Sequence, residues 1–262
     1  QMLSQRTVQS LLGPCIRRAS THFGFEQVNE EEKADRVRQV FTGVADKYDL
    51  MNDAMSMGIH RLWKDYFVQS LPLRSGAKML DVAGGTGDIS FRALRRFPRT
   101  HVTVCDINEE MLRVGEQKAN EDEKLDASRL SFVVGDGEKL PFEDDSFDAY
   151  TISFGIRNCT HVDQVVREAR RVLKPGGLFA CLEFSQIHPA LRTVYDAYSF
   201  QVIPVMGEVL AKDYNSYKYL VESIRRFPNQ TDFAALISST GLREVRYENL
   251  SFGICAIHTA RK

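Results

Sequence analysis

The chain has 262 residues, 43% of them hydrophobic and 26% charged, a globular rather than disordered or fibrous profile that suits one α/β domain with insertions. Thirty-four basic residues against 35 acidic ones leave a net charge of −1, which argues against a nucleic-acid partner. No run of about 18 apolar residues occurs, so no membrane-spanning helix is expected.

The predicted elements begin with a distinctive head. Residues 1–25 hold Arg6, Arg17 and Arg18 with several Ser and Thr but no Asp or Glu. Such a stretch reads as an organellar transit peptide or a basic disordered tail. Acidic residues start at Glu26, and residues 26–262 are expected to form a single domain. Residues 31–75 look helical, and Ile59, Leu62, Trp63, Tyr66 and Phe67 form one apolar face.

From Lys78 onward, strands and helices alternate. Lys78–Val82 reads as a strand, and Asp88–Phe97 as a helix stopped by Pro98. The Val-rich run His101–Cys105 is the second strand, followed by a helix that Asn108 can cap. Leu130–Val134 and Phe147–Phe154 are the third and fourth strands. Val162, Val165, Val166, Ala169, Val172 and Leu173 then make one helical stripe, and Thr160 with Asp163 resembles a capping box. Lys174-Pro-Gly-Gly177 ends that helix before a fifth strand, Leu178–Glu183. Residues 189–240 are read as helical, and Val245–Asn249 with Ile254–Thr259 as a closing strand pair. The pattern predicts a doubly wound parallel sheet with helical insertions in the N-terminal part and the C-terminal half. Insertions of this kind build pocket walls above a sheet.

Five cysteines, Cys15, Cys105, Cys159, Cys181 and Cys255, include no CxxC pair. Neither a disulfide scaffold nor a zinc cluster is indicated. Cys105, Cys181 and Cys255 fall in apolar strand-like runs and read as small buried hydrophobes. The histidines show no metal-like spacing, and no metal is expected.

The first strand runs into Asp81-Val-Ala-Gly-Gly-Thr-Gly-Asp88. Glycines at Gly85 and Gly87, flanking Thr86, allow a tight turn and bring a ligand close to main-chain N–H groups. The second strand ends at Asp106, where an acid can accept hydrogen bonds from both ribose hydroxyls of a nucleoside. The dinucleotide pattern GxGxxG fails because Ser90 replaces its last glycine. Asp88 would also repel a phosphate at the helix N-terminus but tolerate a cationic sulfonium. These features favour S-adenosylmethionine, though a nicotinamide oxidoreductase shares the fold and the acid. Asp136 after the third strand can accept from an adenine amino group, with Gly137 leaving room for the ring. The fourth strand ends at Ser153-Phe-Gly-Ile-Arg157-Asn158, facing the same crevice if the sheet winds about its first strand. The Asn/Asp-Pro-Pro-Tyr/Phe motif of nucleic-acid N-methyltransferases is absent there. A non-catalytic assembly subunit that kept the fold is the reading from another class.

These motifs resemble Rossmann-like class I S-adenosylmethionine methyltransferases. The ubiquinone/menaquinone C-methyltransferase family matches further, at Thr21-His-Phe-Gly-Phe25, Lys47-Tyr-Asp-Leu-Met-Asn-Asp53 and Gly58-Ile-His-Arg-Leu-Trp-Lys64. The match continues through Leu182-Glu-Phe-Ser185, Tyr195-Asp-Ala-Tyr-Ser-Phe200 and Tyr219-Leu-Val-Glu-Ser-Ile-Arg225. The resemblance covers about residues 21–262. It implies cofactor contacts at Tyr48, Thr86, Asp106, Asp136, Gly137 and Ser153. It implies C-methylation of the ring of a polyprenyl benzoquinol, 2-methoxy-6-polyprenyl-1,4-benzoquinol, in ubiquinone biosynthesis. It also implies a homodimer, membership of a multi-protein quinone-biosynthesis complex, and peripheral attachment to the matrix face of the mitochondrial inner membrane. The family places Arg157 near the proton step. A guanidinium whose pKa exceeds about 12 is a poor base, so Arg157 is assigned to stabilising the developing phenolate, with water carrying the proton away and Asn158 orienting the same group. Glu183 and His60 are reserve base candidates, each with packing as its default role. Tyr195, Tyr198 and Phe200 are candidate walls of a prenyl channel.

Overall fold

The computed structural model describes residues 20–44 and 48–262, with only the backbone path given at 44 and 48–50. Most of the basic head, residues 1–19, lies outside the described residues. The described residues include six before the expected boundary at 26. Strands β1 (Ser20–Phe23) and β2 (Glu26–Asn29) pair as an antiparallel hairpin. Gly24 takes the left-handed turn conformation, with φ of 60°. The hairpin is anchored by its surroundings rather than by local propensity: Phe23 stacks on Tyr219 at 4.0 Å, and Phe25 N–H donates to Glu222.

The helical stretch expected over 31–75 is three helices, α1 (Glu30–Val44), α2 (Tyr48–Ser56) and α3 (Ile59–Ser70). The turn before α3 uses Met57 and Gly58, both left-handed. On α3, Trp63, Phe67 and Val68 are buried, while Leu62 stays exposed.

The alternating region matches the reading strand for strand. It comprises β3 (Lys78–Val82), α4 (Asp88–Arg96), β4 (His101–Asp106), α5 (Glu109–Glu121), β5 (Leu130–Val134), β6 (Phe147–Ser153), α6 (Val162–Val172) and β7 (Leu173–Phe184). The cap adds α7 (Arg192–Ala197), a π-helical turn at Tyr198–Val202, α8 (Ile203–Ala211) and α9 (Tyr214–Arg226). Then α10 (Gln230–Ser239) precedes β8 (Arg243–Leu250) and β9 (Cys255–Arg261). The seven-stranded order is β5-β4-β3-β6-β7-β9-β8, with β3 to β7 parallel and the last two strands antiparallel. Strand order reverses between β3 and β6, so their carboxyl ends open one crevice.

Two local expectations change. Asn108 does cap α5, accepting from Glu110 and Met111 N–H. The capping box at Thr160 and Asp163 does not form: Glu138, from the loop after β5, accepts from the Thr160 and His161 N–H groups instead. A carboxylate distant in sequence has taken the local cap's place. Lys174-Pro-Gly-Gly177 belongs to the irregular start of β7, whose Leu173 pairs with Phe147. The sheet is sandwiched by two apolar layers. One joins β3, β6 and β7 to α6 and α10 through Leu80, Ile152, Val166, Phe179 and Phe233. The other joins α3 and α4 to the opposite face through Phe67, Met79, Leu94 and Leu182. Cys105, Cys181 and Cys255 are fully buried in these layers, as their apolar context predicted, and burial pushes the Cys105 thiol up to about 12.

Candidate active site

The β3–α4 loop is shaped by close approaches. A side chain at Gly84 would meet Val104 at 2.6 Å, and Gly85 and Gly87 have positive φ. Across the crevice, a side chain at Gly155 would collide with Ala83 at 2.4 Å. Ala83 and Phe154 themselves hold left-handed conformations, φ 50° and 55°, which costs energy for residues with a Cβ. Backbone strain thus accumulates where the two carboxyl-terminal loops meet.

A cavity of about 320 Å³ opens there. Gly85, Thr86, Asp106, Asp136, Gly137, Ser153 and Asn158 line it. Gly87 does not; it serves the turn, and a side chain there would strike the Phe91 ring at 2.8 Å. The Tyr48 side chain lies outside the described residues. Asp106 is fixed by the Gly85 N–H at 2.9 Å and the Asn108 N–H at 2.8 Å. Each carboxylate oxygen retains a lone pair for a ligand hydroxyl. The Ser153 hydroxyl is buried with no partner among the described residues. Helix α1 covers this cavity with Ala34, Val37 and Phe41. It is tied down by Lys33 to the Cys159 carbonyl at 2.7 Å and by the Asn108 amide to Thr42 at 3.1 Å.

The cavity's electrostatics favour a cation. Asp81, unremarked beyond its place in the glycine motif, is buried and accepts from Ser90 at 2.7 Å and Thr151 at 2.8 Å. Burial first, and then Asp88 and Asp106, push its carboxyl up to about 6 despite those bonds. The role assigned to Asp88 needs correction. It is not a bare charge at the helix N-terminus: Lys64 and Arg92 hold it at 2.8 and 2.9 Å. Burial raises its pKa, but these two cations outweigh burial and lower it. Beyond Asp88 and Lys64, the acids of the wall are Glu30, Asp81, Asp106, Asp136 and Glu138, against Arg38 and His161. The acids, the orphaned Ser153 hydroxyl and the glycine cradle together fit a nucleoside carrying a positive sulfur.

A second, larger cavity of about 530 Å³ adjoins the first. Phe41, Lys64 and Phe154 line both. Its other walls are mainly apolar and include Met55, Trp63, Phe184, Leu191, Val194 and Ile254. Tyr195 and Tyr198 line it as expected, whereas Phe200 does not. Arg157 faces this larger cavity and Asn158 the smaller one, so the adjacent residues look into different chambers. Arg157 is clamped: its guanidinium donates to Glu183 at 2.8 Å and to the Phe154 carbonyl, and lies over the Phe184 ring. Its Nε has no partner among the described residues. Glu183 is 1% exposed, lines neither cavity, and accepts the Phe184 and Arg157 main-chain N–H groups as well. Burial raises its pKa, offset by Arg157. Asn158 accepts from the Tyr219 hydroxyl at 2.9 Å. Tyr219 and Asp81 lie within quoted motifs, but only the fold reveals their contacts.

Residues 27–262 match the model of the ubiE/COQ5 methyltransferase family. The chain belongs to that family. Curated relatives include mitochondrial 2-methoxy-6-polyprenyl-1,4-benzoquinol methylases from Caenorhabditis elegans and Homo sapiens. The former is 59% identical, over 92% of this chain and 85% of the relative. The latter is 52% identical, over 96% and 87%. Among solved structures, an S-adenosylmethionine-dependent methyltransferase from Thermotoga maritima superposes with a TM-score of 0.59 at 17% identity, covering 86% of this chain and 99% of that one. The [4+2]-cyclase SpnF gives 0.58 at 19%, over 77% and 80%. Such low-identity matches establish the fold alone.

Proposed function

We propose that this chain transfers a methyl group from S-adenosylmethionine to a ring carbon of a polyprenyl benzoquinol, 2-methoxy-6-polyprenyl-1,4-benzoquinol, in mitochondrial ubiquinone biosynthesis. The observation that carries the proposal is the pair of adjoining cavities, one walled in part by Asp81, Asp106 and Asp136, the other mainly apolar, with Lys64 and Phe154 in their common wall. Family membership and the names of the relatives supply the substrate class. S-adenosylmethionine, when bound, supplies an electrophilic methyl group whose sulfur leaves neutral.

Gly85, Thr86, Asp106, Asp136, Gly137 and Ser153 hold the donor. Asp106 takes the ribose hydroxyls and Asp136 the adenine amino group. Alignment of donor and acceptor across one shared wall is the main catalytic contribution, because fixed orientation replaces an entropic cost. Arg157 stabilises the charge that develops on the acceptor's oxygen. Its guanidinium is pre-oriented by Glu183, so little reorganisation is needed during reaction. Asn158, set by Tyr219, orients the ring from the donor side.

The acceptor's tail leaves between Leu191 and Val194, which line the apolar cavity and are also exposed. The same cap exposes Val205 and Val209, and no helix among the described residues is long and apolar enough to cross a membrane. Peripheral attachment at the matrix face of the inner membrane, with this cap toward the lipid, is part of the proposal, and the exposed apolar cap supports it. A homodimer and membership of a larger quinone-biosynthesis complex belong to the same proposal. The test incubates purified chain with S-adenosylmethionine and a short-tailed methoxybenzoquinol. The product should carry one added methyl on carbon. Methylation on oxygen, or cofactor binding without turnover, would overturn the reading.

A further inference from the structure

The methylation just proposed needs a group to take the acceptor hydroxyl's proton, and neither Arg157 nor Glu183 supplies one. Arg157 is permanently charged. Glu183 faces neither cavity and spends its oxygens on three N–H donors.

His60 is placed differently. It lies in the first turn of α3, its side chain is 8% exposed, and it lines the apolar cavity. Its Nε2 lies 2.8 Å from Asp53 Oδ1. The same carboxylate is gripped by Arg61 through Nε at 2.6 Å and Nη2 at 2.5 Å. Arg61 first, then His60, hold the Asp53 carboxyl far below its usual range. Asp53 is therefore ionised and can only accept, which fixes the hydrogen of neutral His60 on Nε2. The ring's lone pair then resides on Nδ1. Among the described residues Nδ1 is buried and has no partner.

The surroundings keep the ring neutral. Burial and the Lys64 ammonium lower its pKa, against Asp53 and Asp88, which raise it. Four other polar groups of the cavity are already engaged. Tyr198 donates to the Met55 carbonyl, Tyr219 to Asn158, Trp63 to Ser251 and Lys64 to Asp88.

We propose that His60 is the catalytic base for the acceptor's ring hydroxyl, with Asp53 as its positioning residue. This rests on the methyltransferase reading above. The hydroxyl O–H bond breaks, its electron pair stays on oxygen, and the Nδ1 lone pair forms the new N–H bond. The imidazolium so formed faces the Asp53 carboxylate. The oxygen's pair is pushed into the ring, which makes a ring carbon nucleophilic. Once that carbon has gained its substituent and lost its hydrogen to water, the imidazolium returns its proton to the oxygen. One proton in total reaches solvent.

Two measurements on the full chain test the assignment. In ¹⁵N-histidine NMR of the unaltered protein, His60 should be the Nε2–H tautomer at neutral pH, and Asp53→Asn should redistribute the two tautomers. In turnover assays with a short-tailed methoxybenzoquinol, His60→Gln should lose on the order of 10²- to 10⁴-fold in kcat. Its affinity for S-adenosylhomocysteine should stay within about twofold, and the acidic limb of its pH–rate profile should vanish. His60→Asn provides a second variant if the first does not fold. An Nδ1–H tautomer, or undiminished kcat in the His60 variants, overturns this assignment alone. No methylation by the unaltered chain overturns the parent reading and this one with it.

Discussion

Replacing Arg157 by alanine removes more than a guanidinium. The Arg157 side chain is 5% exposed, Glu183 is 1% exposed, and the two are 2.8 Å apart. Deleting one partner of a buried pair leaves an uncompensated charge, a loss of about 3–5 kcal/mol. For a domain of this size that lowers the melting temperature by on the order of 10 °C. Glu183 already has a raised pKa, and losing Arg157 raises it further. The folded form then holds a proton that the unfolded form releases above its ordinary 4.5. The extra instability is therefore full at alkaline pH and shrinks as pH falls, with a slope of at most about 1.4 kcal/mol per pH unit. The double variant Arg157→Met with Glu183→Gln removes both charges and should be more stable than either single variant. It should still bind S-adenosylhomocysteine but turn over poorly, because the donor toward the acceptor's oxygen is gone. Denaturant unfolding of the unaltered chain, Arg157→Ala, Glu183→Gln and the double variant across pH, with calorimetric ligand titration, reads both effects. A loss below about 1 kcal/mol in Arg157→Ala, with no pH dependence, would refute the reasoning.

Asp106→Ala should weaken S-adenosylhomocysteine binding about tenfold or more. Asp106→Asn should recover part of it, since its single amide oxygen can still accept from one of the Gly85 and Asn108 N–H groups; titration calorimetry checks both. Asp81 takes up a proton as pH falls through about 6, so the cavity loses one negative charge. Affinity for cationic S-adenosylmethionine should then fall more than that for neutral S-adenosylhomocysteine, and equal changes would count against the cation argument. Val194→Asp should raise KM for a long-tailed quinol in vesicles while leaving a short-tailed quinol unaffected in steady-state assays.

The sheet was legible because its strands are short apolar runs punctuated by Gly, Pro and Asx, and their periodicity is local. The glycine loop and Asp106 were legible for a related reason: their spacing is imposed by the strand–turn–helix unit itself. The features that escaped depend on contacts between residues far apart in the chain. Lys64 neutralises Asp88 across 24 positions, which undoes a charge argument made from the loop alone. Glu138 replaces the expected capping box from 22 positions away. Phe23 gains its partner Tyr219 only when the cap folds over the hairpin. Arg157 and Asn158 were recognised together, yet the turn after β6 sends them into separate chambers. Asp53 and His60 are only seven positions apart, but the left-handed turn at Met57 and Gly58 is what brings them together.

The central claim is carbon methylation across the wall between the two cavities. The most direct measurement supplies S-adenosylmethionine labelled with ¹³C in its methyl group to the purified chain and a methoxybenzoquinol, then locates the label by NMR. The account predicts a methyl attached to a ring carbon, formed in proportion to enzyme and lost in the Arg157→Met, Glu183→Gln protein. Label on a quinol oxygen, or label remaining wholly in the donor, would contradict it.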